Sequence, residues 1–400
     1  MTLRDQYTPA SVGPGSLSAP EARIRRARAK ADPPNVEMCV AEVTAQDIGA
    51  VTEVVRSARL AMGPKVPAFE QAMADLIGVE HAVAVSSGTA ALHLIVKSLG
   101  LGPRDEVLVP SFTFAASVNA LLYEGVRPVF VDIDPRTLNL DCDDLEHRIT
   151  HRTRAIMAVD VFGLPANWEA LQRIADRHGL RLIDDCCEAL GAEFQGRKLG
   201  SFGDAGAFAF YPNKQITTGE GGMLVTNRAD LATLARSYAN QGRGSMGAWL
   251  QHDRVGYNYR MDEMSAALGQ SQLVRIEEIL EKRARVAQLY TERIRPMASI
   301  EAPRDFSGFR RSWFVYAVTL EVGMDRDRTI AGMARDGVPA RGYFAPIHTQ
   351  PYIREIFGDL RGTLPVTEAM ARRTLALPFH GKLGPAEIDH VLAVLKRNLS

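Results

Sequence analysis

The sequence predicts an α/β fold, with a large domain built on a mainly parallel sheet between helices and a smaller C-terminal α+β domain. Three observations predict it. Short apolar runs alternate with longer helix-periodic segments over most of the chain, and strands separated by helices imply crossover connections and parallel pairing. A long helical stretch at about 261–295 then ends the alternation, and a half-wet strand with two further helices follows. Finally, 400 residues of 46% hydrophobic composition suffice for one large core and a second, lesser one. The expected division is a flexible arm at 1–34, a large domain at 35–290 and a small domain at 291–400.

The arm is rich in Pro, Ser, Ala and Arg, and Arg23, Arg25, Arg26, Arg28 and Lys30 make it locally basic. It reads as a solvated arm or frayed helix, with nucleic-acid or membrane contact as the competing use. Order is expected from about residue 36. Thr44 followed by Asp47 has the pattern of an N-cap with an acidic first turn, and Ile48, Val51 and Val55 recur at helical spacing. The runs 82-AVAV-85, 106-EVLVP-110, 128-PVFVDID-134, 155-AIMAVDV-161 and 181-RLIDD-185 read as buried strands, with 206-GAFAF-210 and 223-MLVTN-227 after them. Residues 167–178 carry a helical period between two of these strands. In the last part, 313-WFVYAVTLEV-322 alternates like a strand, a helix is expected around 327–336, and Ile388, Val391, Leu392 and Leu395 mark a terminal helix.

Composition narrows the function. Lys plus Arg equal Asp plus Glu at 47 each, so the basic excess of a nucleic-acid binder is missing. Cys39, Cys142, Cys186 and Cys187 form no CxxC pair, which argues against a structural metal site or a disulfide framework and fits a reducing cytoplasm. The sequence contains no uncharged apolar run of the ~18 residues a membrane span needs, and its start lacks the apolar region of a secretion signal.

Four segments carry chemistry. In 85-VSSGTAALHL-94 a strand ends, a small-residue turn follows and a helix opens at about Gly88. Its N–H groups, with the hydroxyls of Ser86, Ser87 and Thr89, could hold a phosphate, although a tight turn without a ligand would look alike. In 110-PSFTFAAS-117, Phe114 lies beyond a strand end, where it could stack on a flat cofactor or simply fill core. In 183-IDDCCEALGA-192, paired acids at a strand end could keep a pyridinium nitrogen protonated or could cap a helix. In 203-GDAGAFAFYPNKQITTGEGGMLVTN-227, an apolar strand runs into Lys214 and a Gly-rich turn leads to another strand. A lysine there is costly to bury unless it is used, and desolvation favours the neutral amine that attacks a carbonyl.

Together these residues resemble the DegT/DnrJ/EryC1/StrS sugar aminotransferases, of the aspartate-aminotransferase fold type I. The resemblance runs from about residue 40 to the C-terminus and includes 62-MGPKVPAFEQAMADLIGVEHAVAVSSGTAALHL-94, 256-GYNYRMDEMSAALGQSQL-273 and 346-PIHTQPY-352. It implies pyridoxal 5′-phosphate (PLP) held as a Schiff base on Lys214, which also moves protons. Asp185 matches the acid on the ring nitrogen, and Glu188 falls near the ring hydroxyl, where many members have Gln or His. Phe114 matches the stacking aromatic, and Gly88 and Thr89 match the phosphate turn. Asn258 matches a residue that reaches the phosphate from the neighbouring subunit, so the resemblance implies a homodimer with shared active sites. Arg260, Arg341 and His348 lie in segments that resemble substrate-side regions.

The implied reaction is ping-pong transamination through the pyridoxamine form (PMP), with L-glutamate as donor. The segment 208-FAFYPNKQITTGEGGM-223 with Glu188 resembles the perosamine-synthase type, which implies a nucleotide-linked keto-deoxy sugar as acceptor, with a keto-cyclitol as the alternative. Two departures stand out. Ala209 occupies the position of a common phosphate-binding serine, so a hydrogen bond of about 1.5–3 kcal/mol should be lost or replaced. Cys186 and Cys187 replace small residues and read as packing. Relatives that act as sugar dehydratases carry His at the Lys214 position, and a DNA-binding regulator would bring a further domain, so neither reading suits this chain.

Overall fold

A computed structural model of the protein describes residues 36–244 and 251–399. The arm expected at 1–34, with its basic run, lies outside the described residues. The apolar runs form strands β1 (His81–Val85), β2 (Glu106–Pro110), β3 (Arg127–Val131), β4 (Thr153–Val159) and β5 (Arg181–Asp185). The two-residue strands β6 (Glu193–Phe194) and β7 (Arg197–Lys198) follow, then β8 (Ala205–Ala209) and β9 (Gly222–Thr226). Seven of these make the central sheet, in the order β1-β9-β8-β5-β4-β2-β3. The pairs from β8 through β5, β4 and β2 to β3 are parallel, whereas β9 runs antiparallel to both its neighbours. The mainly parallel sheet read from the sequence is therefore present. The reversal at β9 has a simple cause: residues 210–221 return the chain without the crossover helix a parallel pairing needs.

Helices cover both faces of the sheet, and the alternation of side chains sorts the core accordingly. Val83, Val107, Val109, Met157, Ile183 and Leu224 pack on one side with the helices Gly88–Ser98 and Ala229–Ala239. Ala84, Leu108, Ile156, Leu182, Phe208 and Met223 pack on the other with the helix Lys65–Ile77. Each fully buried Val, Leu or Ile contributes about 1.5–3 kcal/mol relative to exposure.

The helical stretch expected at 261–295 is two helices, Glu263–Leu273 and Ile276–Ile294. Arg275 breaks them, and its guanidinium turns back to Asp47 at 3.0 Å. The longer helix serves two cores. Ile276, Ile279 and Leu280 pack with the central sheet, and Val286, Ala287, Tyr290 and Ile294 pack with a second, antiparallel sheet. That sheet contains β10 (Ile300–Glu301), β12 (Tyr316–Leu320) and β13 (Thr374–Leu377). The strand β11 (Phe309–Arg310) instead joins β6 and β7. The helices Arg326–Arg335 and Pro385–Asn398 complete this α+β part as expected.

The N-terminal helix Ala45–Ser57 has the Thr44 N-cap read from the sequence, and Asp47 answers it to complete a capping box. Its apolar stripe faces outward, however, with Ile48 60% and Val55 53% exposed. Asp47 fixes this orientation: it is fully buried and accepts hydrogen bonds from Ser271 Oγ at 2.6 Å and from Arg275.

The parallel strands present their carboxyl ends at one edge, and there the start of β9 packs tightly against the turn after β1. A Cβ on Gly222 would lie 2.4 Å from the carbonyl carbon of Ser87 and 2.6 Å from Gly88 N. Gly222→Ala should therefore cost about 1–3 kcal/mol through overpacking. Gly49→Ala, where the new methyl meets open space inside a helix, should gain about 0.5–1 kcal/mol. Urea unfolding of the two variants reads the contrast.

Candidate active site

At that edge a cavity of about 400 Å³ opens, walled by the ends of β1, β4, β5 and β8 and roofed by Phe314, Tyr343 and Phe344. Lys214 enters it from the loop after β8, where its N–H closes a turn on the Tyr211 carbonyl at 2.9 Å. Its side chain is 14% exposed, with Nζ 3.7 Å from Glu188 Oε1 and 3.9 Å from the centroid of the Phe314 ring. Glu188 also accepts the Phe162 N–H at 3.0 Å. Burial pushes the Glu188 carboxyl above the usual range, and the Lys214 amine opposes that shift.

Asp185 ends β5 and faces the same cavity. Ser117 Oγ donates to Oδ2 at 2.6 Å, and Cys187 N–H donates to Oδ1 at 3.3 Å. A carboxylate only accepts, so the Ser117 proton points at Asp185, and the Thr113 hydroxyl, 2.9 Å away, donates to Ser117. The relay holds the carboxyl plane in place. The neighbouring Asp184 points away from the cavity and is fully buried, and no helix begins after the acid pair, so helix capping is not its role.

The turn after β1 is capped by Ser87, whose Oγ accepts from Ala90 N–H at 3.1 Å. The N–H groups of Gly88 and Thr89, in the first turn of the helix, have no intrahelical acceptor to point to. Gly88 is pressed between Ala209 and Cys187: an added Cβ would meet Ala209 Cβ at 2.6 Å and Cys187 Sγ at 3.0 Å. Phe114 is 65% exposed and lines the cavity, so it is not core filling.

The family model for the DegT/DnrJ/EryC1/StrS aminotransferase family matches residues 41–396. The chain belongs to this family. This transaminase is 41% identical over 342 residues to a GDP-perosamine synthase of Caulobacter vibrioides, covering 84% of this chain and 91% of the relative. It is 35% identical to a UDP-N-acetyl-3-dehydro-alpha-D-glucosamine 3-aminotransferase of Acidithiobacillus ferrooxidans, covering 87% and 92% of the two chains. Among solved structures, S. venezuelae DesV in complex with a ketimine intermediate superposes with a TM-score of 0.86 at 32% identity, covering 91% of this chain and 98% of that one.

Members of the family are PLP-dependent, and the residues present fit that cofactor. A primary amine, an acid held by two donors and a helix N-terminus with uncommitted N–H groups converge on one cavity. The lack of a side chain at Gly88 lets this turn sit directly against Ala209 at the end of β8. The cavity thus gathers Lys214, Asp185, Glu188, Gly88, Thr89 and Phe114.

Four residues named from the sequence are not among its walls. Asn258 is exposed on a segment bridged to Asn240. Arg260 donates to Asn240 Oδ1 at 3.0 Å, and Arg341 is an exposed residue bridged to Ala376. The His348 ring is fully buried, 2.6 Å from Ser111 Oγ and 3.1 Å from Glu368 Oε1, so in this arrangement it cannot meet a substrate. Thr113, Ser117 and Phe314 carried no role in the reading of the sequence. Ser117 lies in the same short segment as Phe114, in the first turn of the helix Ala115–Tyr123, whereas Phe314 comes from a distant segment and carried no local signal. Cys186 is buried packing, whereas Cys187 is half-buried and lines the cavity; burial raises both thiols well above their ordinary value.

A carboxyl raised by burial stabilises the fold most at low pH, and its contribution is lost as pH rises through its raised value. The cofactor-free protein should lose stability on going up from the ordinary Glu value of 4.5, and Glu188→Gln should flatten part of that slope. Thermal denaturation across the acid-to-neutral range measures it.

Proposed function

We propose that this transaminase moves an amino group from an amino acid, with L-glutamate as the expected donor, to the ketone of a nucleotide-linked keto-deoxy sugar. The observation that carries the reading is the convergence of Lys214, Asp185 and Glu188 on one cavity in a chain whose named relatives carry GDP- and UDP-linked sugars in their names. Lys214 Nζ is the attachment point for PLP, and Phe114, exposed at the mouth, is placed to cover the ring.

When bound, the cofactor supplies an electron sink that stabilises carbanion charge. The chain supplies the rest. Asp185, held by Ser117 and the Cys187 amide, keeps an acceptor aimed into the cavity for a protonated ring nitrogen. Lys214 takes and returns the proton that moves during amino transfer. Glu188 holds a carboxyl beside that amine, and Phe314, Tyr343 and Phe344 keep water from the roof. The Gly88 and Thr89 N–H groups would bind the phosphate in place of the hydroxyl that Ala209 lacks.

The same reading includes a homodimer with shared sites. Asn258 is exposed and outside its own cavity, as a residue that serves a neighbouring site must be. Ile48, Val55, Leu60 and Met62 leave an exposed apolar surface for a second copy. All four cysteines are free, which suits an enzyme of the cytoplasm. Among the described residues no helix is long and apolar enough to cross a membrane.

With PLP added, the protein should show a bound-cofactor absorbance band that shifts to shorter wavelength on addition of L-glutamate. Borohydride should fix the cofactor on the peptide that contains Lys214, and Lys214→Ala should show neither effect and lose about 10²–10⁴-fold or more in rate. Absence of a band in the wild type would sink the reading, and faster turnover of keto-cyclitols than of nucleotide-linked keto sugars would replace the acceptor. Mixing Lys214→Ala with Asn258→Ala chains should restore activity toward about a quarter of wild type, because each hybrid dimer keeps one intact site. No recovery on mixing refutes the shared site.

A further inference from the structure

Two carboxyl groups that the chemistry above leaves unused lie beneath the cavity. Asp160 follows β4 and Asp184 precedes Asp185 on β5, and both side chains are fully excluded from solvent. Asp160 Oδ1 accepts the Ala166 N–H at 2.7 Å and the Trp168 indole N–H at 3.2 Å. Asp184 Oδ2 accepts the Gly200 N–H at 2.7 Å. Asp160 Oδ2 and Asp184 Oδ1 remain, each buried and without a hydrogen-bond partner, and the two carboxyls lie at the paired ends of β4 and β5, close enough to interact. The ionisable groups that face them are the Asp185 carboxyl and the Cys186 thiol. No lysine, arginine or histidine among the described residues pairs with either carboxyl.

Two carboxylates cannot hydrogen-bond, because each can only accept, and two like charges in a dry interior repel strongly. One proton resolves both problems by making one group an O–H donor to the other. We propose that Asp160 and Asp184 share a single proton, and that this pair positions the two acids of the cavity, Asp185 and Glu188. Burial and the Asp160 charge push the Asp184 carboxyl well above its ordinary range, in keeping with its role as the proton carrier.

The pair reaches both cavity acids by short routes. Asp160 N–H donates to the Asp185 carbonyl at 3.2 Å. Two residues on, in a tight turn closed by Gly163 N–H on the Asp160 carbonyl, Phe162 gives its N–H to Glu188. The main chain at Asp160 therefore ties the strand end that carries Asp185 to the turn that feeds Glu188, and the pair holds that main chain against β5. It also leaves one net negative charge under Asp185. This electrostatic part rests on the reading of Asp185 as the acid that faces the cofactor ring nitrogen.

Isotope-edited infrared spectroscopy of the cofactor-free protein tests the proton directly. A protonated carboxyl stretch is expected at neutral pH in the wild type and should vanish in both Asp184→Asn and Asp160→Asn. If the wild type lacks the band, the shared proton is refuted without any variant. Either asparagine keeps a donor between the two groups and the same net charge, so both single variants should unfold near the wild-type temperature. The double variant Asp160→Asn/Asp184→Asn keeps hydrogen bonds but removes the charge, and the pH midpoint of the bound-cofactor absorbance should move to lower pH. A double variant that titrates like the wild type overturns the electrostatic role. Failure of the aminotransferase reading would show differently, as a wild type with no cofactor band, and leaves the infrared result standing.

Discussion

The cavity depends on how closely β9 approaches the turn that follows β1. Val85 pairs with Gly222 across the two strands, and the missing side chain lets the Ser87–Gly88 peptide sit against the β9 backbone. That contact sets where the helix Gly88–Ser98 begins, and hence where its uncommitted N–H groups point. A second glycine contact then acts from the other side, because Gly88 can touch Ala209 only without a Cβ. Ala209 ends β8, five residues before Lys214. The two contacts thus connect the phosphate turn, both strands and the lysine loop in one packed unit, in which a single methyl group would force parts to separate.

Around this unit, buried acids do the work of joining segments far apart in sequence. Glu263 accepts the N–H groups of Lys65 and Val66 at 2.8 and 3.1 Å. It so caps the helix Lys65–Ile77, which Pro64 cannot cap with a side chain. Asp132 accepts from Val366 N–H and from the N–H and hydroxyl of Thr367, and thereby fastens the start of the helix Pro365–Arg373 beside β3. Asp47 does the same between the N-terminal helix and Ser271 and Arg275. Charged acceptors of this kind contribute about 1.5–3 kcal/mol each when their donors are in place, and each leaves an uncompensated group if a donor is lost. Asp160 and Asp184 extend the pattern to the floor of the cavity.

Much of the fold was legible because its signals are local. The runs at 107–110 and 155–159 are apolar throughout, as strands buried on two faces must be, and 181–185 holds Leu182 and Ile183 between charged ends. The Thr44–Asp47 box announces a helix start by its own hydrogen bonds. Of the site, Lys214, Asp185, Glu188 and the Gly88 turn were readable since each follows a strand end, and parallel strands bring such ends to one edge. Resemblance to the family then assigned their chemistry. The outward face of the Ala45–Ser57 helix was not readable, because its orientation is decided by Asp47 contacts more than 200 positions away.

The sequence by itself determined the α/β architecture, the order of its strands along the chain and the reactive residues that gather after strand ends, because periodicity, turn residues and reactive groups are properties of short segments. Only the tertiary structure decided that β9 reverses, that Ser117 and Thr113 support Asp185, that the Phe314 ring lies against the Lys214 amine and that the His348 ring is sealed in the interior. The physical reason is common to all four. Each depends on which distant groups are left to satisfy a buried donor, acceptor or apolar face once the sheet has closed, and that is settled by packing in three dimensions rather than by spacing along the chain.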